Sequence, residues 1–259
     1  MRSRHPLGTV VSDGEQREYF VRLPANFDPT KQYWLLAAIH GGGGNGRQWN
    51  LGRYWSIMQE MGLNAILVIP SLGTSARPDE FAFPSLGEGN VFIAMIEKLQ
   101  ATYWLRPKIL LTGFSGGGNF VHRFTYQHPE RVFATAAHSA GSWTTPDGRF
   151  LVKGLGEVID AQTLAGGERI PESSRQGREH YLNDRAVSAG TRTVPPNAAR
   201  VPFLVMCGTL DTERLDNAKE FARSLAAFGF PVETGWPQAP HDLTDDFLRR
   251  TVQFFVDLD

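Results

Sequence analysis

The chain has 259 residues, of which 41% are hydrophobic, and its 26 basic and 27 acidic residues give a net charge of -1. Because the two signs are interspersed, we expect neither a nucleic-acid partner nor electrostatic attachment to a membrane. The length fits one domain of the α/β class over residues 1–259.

The sequence shows no targeting signal and contains one cysteine. No apolar run reaches membrane-spanning length, and the charged residues 1–6 precede no apolar signal segment. Cys207 is the single cysteine, which excludes an internal disulfide, and its place after the apolar run 201–206 indicates a buried, inert thiol. We expect a cytoplasmic protein, with secretion left open for a chain that has lost a leader.

Strand-like and helix-like segments alternate along the chain, which predicts a mostly parallel sheet with helices on both faces. Strands are predicted at residues 18–23, 34–39, 64–69, 108–112, 134–138, 201–206 and 232–235. Helices are predicted at residues 49–60, 89–103, 118–127, 216–228 and 243–258.

Residues 143–200 interrupt this alternation. The segment is rich in glycine and has no sustained periodicity. Because structureless loops of this length are uncommon in compact domains, we interpret it as a lid or cap insertion with short helices of its own.

Ser115 lies in the motif Gly113-Phe114-Ser115-Gly116-Gly117, between a predicted strand and a predicted helix. A sharp turn in this context, flanked by small residues, is typical of the nucleophile elbow of serine hydrolases. A near-match surrounds Ser139, but the residues after it cannot begin a helix. Ser115 is therefore the predicted nucleophile.

A serine nucleophile needs a general base, and the base needs an acid to orient it. Asp211 follows the strand at 201–206, at the carboxyl end where open α/β sheets build their sites. Asp216 is the rival, but the helical sequence after it suits an N-cap or a first-turn carboxylate. Asp211 is the predicted acid.

His241 follows the last predicted strand and precedes the last helix, so it completes the chain order serine, acid, histidine. The other histidines have simpler explanations as terminal, helical, inserted or loop-bracing residues, and His138 precedes the acid. These rivals are His5, His40, His122, His128, His138 and His180. His241 is the predicted base.

A glycine run, His40 to Gly46, follows the strand at 34–39. Glycines let backbone N–H groups approach a developing oxyanion, and a second donor is expected from Gly116, directly after the nucleophile. The alternative is a phosphate-binding loop, but the run lacks a Gly-Lys-Ser/Thr ending and a dinucleotide-binding pattern. We expect neither a metal nor an organic cofactor.

Together these motifs resemble the α/β-hydrolase superfamily, and within it the esterases that include polyhydroxybutyrate depolymerases, feruloyl esterases and acetylxylan esterases. The resemblance is carried by residues 17–24, 26–29, 40–46, 113–118 and 128–130. It implies an α/β-hydrolase fold with an oxyanion hole formed by Gly41, Gly42 and Gly116.

The resulting hypothesis is a serine esterase with the triad Ser115, His241 and Asp211, acting on a small or oligomeric ester. The alternatives are a serine peptidase or amidase of the same fold, and an inactive hydrolase-fold binding protein. Five aromatic residues near predicted loops suggest an aromatic wall for a bulky acyl group, although core packing explains most of them equally well. They are Trp49, Tyr54, Trp55, Trp143 and Trp236.

Overall fold

The computed structural model describes residues 7–12, 15–42, 46, 51–73, 87–154, 156–158, 194 and 197–259. In this part of the chain the strands are β1 (Leu7–Ser12), β2 (Glu15–Arg22), β3 (Trp34–Ile39), β4 (Ala65–Pro70), β5 (Ile109–Phe114), β6 (Val132–His138), β7 (Ser142–Thr144), β8 (Phe150–Val152), β9 (Gly156–Val158), β10 (Phe203–Met206) and β11 (Val232–Gly235). The helices are α1 (Leu51–Met61), α2 (Glu88–Thr102), α3 (Gly116–Gln127), α4 (Thr212–Ala227) and α5 (Asp245–Asp257).

Within the described ranges, eight strands form the main sheet in the order β1-β2-β4-β3-β5-β6-β10-β11. Strand β2 pairs antiparallel with β1 and with β4. All other neighbours pair parallel. The predicted mostly parallel sheet is confirmed.

Strand β3 shows why the sequences of the central strands are continuous apolar runs. Leu35, Ala37 and Ile39 face one core cluster, which also contains side chains of α2, α3 and α4. The alternate residues of β3 face a second cluster, which contains side chains of α1 and α5. Both faces of the strand are buried, so every position favours an apolar side chain.

The first strand departs from the predicted elements. Strand β1 is absent from the prediction; it is an edge strand in which Gly8 lies opposite Tyr19 of β2, directly against the tyrosine ring. A glycine at this position weakens the strand signal of the sequence, but here it accommodates the aromatic ring.

The first part of the predicted insertion, up to residue 158, also differs from the expectation. Strands β7, β8 and β9 form a separate antiparallel sheet where short helices were expected, because Gly148 and Gly154, both with positive φ, occur in the intervening turns. A single 3-10 turn, Ala198–Arg200, is the helical structure in the described part of residues 143–200. Residues 159–193 lie outside the described residues, and the lid role stays a prediction.

Candidate active site

Ser115 lies at the sharp turn between β5 and α3. Its backbone has φ 55 and ψ -115, a conformation that non-glycine residues rarely adopt. The backbone N–H of Ser115 donates to the carbonyl of His138 at 2.9 Å, which ties the turn to the end of β6. The turn has the strained geometry expected of a nucleophile elbow.

Glycines make this turn possible by close approach of main-chain segments. A Cβ on Gly113 would overlap the carbonyl oxygen of Gly117, and a Cβ on Gly117 would overlap that of Ile39 in β3. Helix α3 therefore begins directly against the carboxyl ends of the central strands, with Ser115 at its entry.

Asp211 follows β10 and is the N-cap residue of α4. Its side chain is only 3% exposed, and its two oxygens have different partners: Oδ2 accepts from His241 and Oδ1 accepts from Arg214 at 2.9 Å. The rival Asp216 is exposed within α4, so its predicted place at the helix N-terminus is wrong, because the helix already begins at Thr212.

His241 joins the other two side chains. Its Nδ1 lies 2.7 Å from Asp211 Oδ2, and its Nε2 lies 3.0 Å from Ser115 Oγ. Because a carboxylate only accepts, Nδ1 carries the proton, which leaves Nε2 to accept from the serine hydroxyl. The structure thus brings together Ser115, His241 and Asp211 in one chain of hydrogen bonds.

The loops that carry the acid and the base are joined through their main chains. Thr209 N–H donates to the carbonyl of Pro237 at 2.8 Å, and Leu210 N–H donates to that of Ala239 at 3.0 Å. A Cβ on Gly208 would overlap the carbonyl oxygen of Ala239. Glycine at position 208 therefore lets the two loops approach closely enough for Asp211 to reach His241.

Partial burial is the largest influence on the charge of His241, and it lowers the pKa of the imidazole from the ordinary 6.5. The hydrogen bond to Asp211 acts in the opposite direction, and the positive charge of Arg214 lowers the pKa further. The net effect is a lowered pKa, so the imidazole is neutral over a wider range of pH than a free histidine.

The glycine loop lies next to the nucleophile. A Cβ on Gly41 would stand 3.6 Å from the Cβ of Ser115. Buried His40 accepts at Nε2 from Leu72 N–H (3.1 Å), which leaves Nδ1 to donate to the carbonyl of Gly41 (2.8 Å). Since the carbonyl and N–H of a trans peptide point in opposite directions, this bond also fixes the direction of the Gly42 N–H.

The second predicted oxyanion donor is Gly116, the first residue of α3. The N–H groups of a helix's first turn have no intrahelical acceptor, so this amide is available beside Ser115 Oγ. Gly43, Gly44 and Asn45 lie outside the described residues.

The rival histidines have other partners. His122 is fully buried; its Nδ1 lies 2.8 Å from the carbonyl of Gly118, and its Nε2 accepts from Thr144 N–H. His138 is also fully buried; its Nε2 lies 2.9 Å from Thr251 Oγ1, and burial lowers the pKa of the ring to about 3. His128 lies near Glu130 at the end of α3. His5 and His180 lie outside the described residues.

Ser139 and Cys207 are buried beneath the site. Ser139 Oγ lies 3.7 Å from Cys207 Sγ, and the sulfur lies 3.9 Å from Asp211 Oδ2. Burial raises the pKa of the thiol to about 11, which keeps it protonated and unreactive at neutral pH. Both residues are part of the packing under the acid loop.

Sequence reasoning missed Phe114 and Arg214. The ring of Phe114 stacks on the imidazole of His241 with centroids 4.7 Å apart. Arg214 contacts Asp211 from the first turn of α4. The spacing Asp-x-x-Arg could indicate the second contact, but the predicted helix begins at residue 216, after both residues. The first contact depends on how two rings pack, which the local sequence does not show.

The described aromatic residues of the predicted wall are buried or partly buried against the core. Tyr54 and Trp143 have no exposed surface and belong to the core clusters. Trp55 donates from Nε1 to the carbonyl of Leu23 at 2.8 Å. Trp236 is partly buried against the first core cluster, and Trp49 lies outside the described residues.

Neither a metal-binding cluster nor a membrane-spanning helix occurs in the described part of the chain. No group of three or more His, Cys, Asp or Glu side chains there is arranged to hold a metal ion. No helix there is both long enough and apolar enough to cross a membrane.

Solved structures of α/β-hydrolases match nearly the whole chain, and the protein has the α/β-hydrolase fold. A ferulic acid esterase matches with a TM-score of 0.71 at 20% identity, over 99% of this chain and 99% of that chain.

Two other structural neighbours are hydrolases with different named activities. Poly(aspartic acid) hydrolase-1 from Sphingomonas sp. KT-1 has a TM-score of 0.66 at 19% identity, over 98% of this chain and 99% of its own. The S-formylglutathione hydrolase from Staphylococcus aureus has a TM-score of 0.63 at 18% identity, over 98% of this chain and 96% of its own. No protein-family model matches the chain.

Proposed function

We propose that the protein is a serine hydrolase that cleaves carboxylic esters through an acyl-enzyme. The observation that carries the proposal is the pair of hydrogen bonds from Ser115 Oγ to His241 Nε2 (3.0 Å) and from His241 Nδ1 to Asp211 Oδ2 (2.7 Å). Nucleophile, base and orienting acid in this arrangement suit acyl transfer.

In the first half-reaction, Ser115 Oγ attacks the ester carbonyl while His241 Nε2 takes the hydroxyl proton. Asp211 stabilises the imidazolium that forms. The oxyanion of the tetrahedral intermediate accepts from the N–H of Gly116 and from an N–H of the loop at Gly41 and Gly42. When the intermediate collapses, His241 donates its proton to the leaving alcohol and the acyl group stays on Ser115.

In the second half-reaction, His241 takes a proton from water, and the resulting hydroxide attacks the acyl carbonyl. Collapse of the second intermediate releases the acid and returns the proton to Ser115. The same backbone donors and the same base serve both halves, and the residues described supply every proton transfer.

The test compares the protein with its Ser115→Ala variant on short-chain p-nitrophenyl esters. We expect the variant to lose about four to six powers of ten in kcat with an unchanged melting profile. A fluorophosphonate probe should label the protein but not the variant. Full activity in the variant contradicts the proposal, and the absence of both activity and labelling favours an inactive binding protein.

The ester class is tested separately, because the structural neighbours include a ferulic acid esterase and a poly(aspartic acid) hydrolase. A comparison of the rates on methyl ferulate and methyl acetate, which share a leaving group, measures preference for an aromatic acyl group. A p-nitroanilide with the same acyl group as the p-nitrophenyl ester measures amide cleavage. Amide turnover equal to or faster than ester turnover assigns the site to the peptidase or amidase alternative.

A further inference from the structure

Arg214 and His241 bind the same carboxylate. Arg214 Nη1 donates to Asp211 Oδ1 at 2.9 Å, while His241 Nδ1 donates to Oδ2 at 2.7 Å. The carboxylate is 3% exposed and the arginine side chain 10% exposed, so both ions of the pair are largely removed from water. Asp211 is therefore held by a nitrogen donor on each oxygen, with the Cys207 thiol as a second neighbour of Oδ2.

Helix α4 is an unfavourable place for this cation. Arg214 is the third residue of the helix, and the N-terminus of a helix attracts negative charge and repels positive charge. In addition, the buried Nε of Arg214 has no acceptor among the described residues, which is a desolvation cost. A residue chosen for helix stability alone would be neutral or acidic here, so its pairing with Asp211 calls for a functional reason.

Three charged groups face His241, and they come from two places. Asp211 and Arg214 belong to the start of α4, and Lys153 lies exposed in the turn after β8. The carboxylate favours a protonated imidazole, whereas the two cations favour a neutral one. Arg214 is the cation in direct contact with the carboxylate that orients the base.

We propose that Arg214 is a positioning residue: it holds Asp211 in the orientation that His241 needs and offsets part of the carboxylate's charge, so that the base stays neutral in more acidic solution. This inference rests on the proposed function for its effect on catalysis. The charge effect on the imidazole has a readout that does not require catalysis.

The test compares Arg214→Gln, which removes the charge but keeps hydrogen-bonding groups, with Arg214→Lys, which keeps the charge. In Arg214→Gln we expect the acid limb of kcat/KM to move up by about one pH unit. We also expect kcat on the plateau to fall by about tenfold with little change in KM, because the base is held less firmly. In Arg214→Lys the acid limb should stay near its original pH.

The matched control is Arg249→Gln. Arg249 forms an exposed ion pair with Glu60 of α1, at 2.7 Å, and its loss changes the net charge by the same amount. We expect neither the acid limb nor kcat to change in this control.

An NMR titration of the His241 ring, assigned with a His241→Gln variant, measures the pKa directly. The expected upward shift in Arg214→Gln appears in this titration even in a protein with no esterase activity, so a failure of the proposed function is distinguishable. An unshifted titration and an unshifted acid limb in Arg214→Gln overturn the inference. So does a loss of kcat that merely follows a lower melting temperature in both Arg214 variants.

Discussion

The aromatic ring of Phe114 lies stacked on the imidazole of His241, with centroids 4.7 Å apart and planes inclined by 29°. Phe114 is the last residue of β5 and directly precedes Ser115. The strand that carries the nucleophile therefore also supports the base, and one backbone segment sets the separation of the two groups.

Replacing Phe114 by alanine removes this support. We expect kcat to fall by about tenfold with little change in KM, because the imidazole gains orientations in which Nε2 does not reach Ser115 Oγ. Phe114→Tyr keeps the stacked ring and should stay close to the original activity. Steady-state kinetics on a p-nitrophenyl ester check both variants, and equal activity in the alanine and tyrosine variants would show that the ring has no orienting role.

The backbone of Ser115 has a strained conformation that a glycine adopts without steric strain. Its φ of 55 and ψ of -115 predict that Ser115→Gly is more stable than Ser115→Ala by about 1 kcal/mol, although both are inactive. Urea unfolding of the two variants measures the difference in the free energy of unfolding. The alanine variant is the matched control because it retains the Cβ. A glycine variant of equal or lower stability would indicate that the turn is unstrained.

Gly208 lies where the loop that carries Asp211 closely approaches the loop that carries His241. A Cβ at this position would overlap the carbonyl of Ala239, so Gly208→Ala should separate the loops and lengthen the path from Asp211 to His241. We expect kcat to fall by at least about a hundredfold, since displacements of about 1 Å have effects of this size. Activity assays and melting temperatures distinguish a local displacement from unfolding.

The control for this substitution is Gly52→Ala in α1. A Cβ there has Arg22 Nη1 as its nearest neighbour, at 3.8 Å, which is an ordinary contact. We expect unchanged activity and slightly higher stability, because alanine favours a helix over glycine. Equal losses in the two variants would mean that the loop contact at Gly208 is unimportant.

The lowered pKa of His241 sets the pH dependence of the reaction. The base must be neutral, so kcat/KM should fall as the pH decreases through the pKa of the free enzyme's imidazole. Because that pKa lies below 6.5, more than half of the maximal kcat/KM should remain at pH 6.5. A profile of kcat/KM against pH measures this. A half-maximal point above pH 7 would contradict the burial effect on His241.

The sequence predicts the sheet and the candidate triad well for a physical reason. Strands β3 and β11 have the predicted bounds, because apolar runs between turn residues define buried strands. The carboxyl ends of neighbouring parallel strands meet at one edge, so Ser115, Asp211 and His241 could be placed together from chain order.

The remaining parts depend on contacts that the local sequence does not encode. Helix α4 begins before the predicted start at residue 216, because Asp211 occupies the N-cap position while its side chain bonds to Arg214 and His241 instead of capping the helix. The sequence pattern favours Asp216 as the helix start. The sheet β7–β9 has short strands without clear alternation, and α3 side chains help to hold it, as when Arg123 donates to Ser142 and Thr144. Such contacts are visible only after the chain has folded.

The loops that carry Asp211 and His241 are joined through main-chain hydrogen bonds. Their outward-facing side chains therefore do not align the triad. Leu210 is 57% exposed and Gln238 is exposed, yet each lies within a residue of a bond that joins the loops. These two positions are therefore suited to redesign: substitutions there would change the exposed surface of the two loops while the reacting groups keep their alignment.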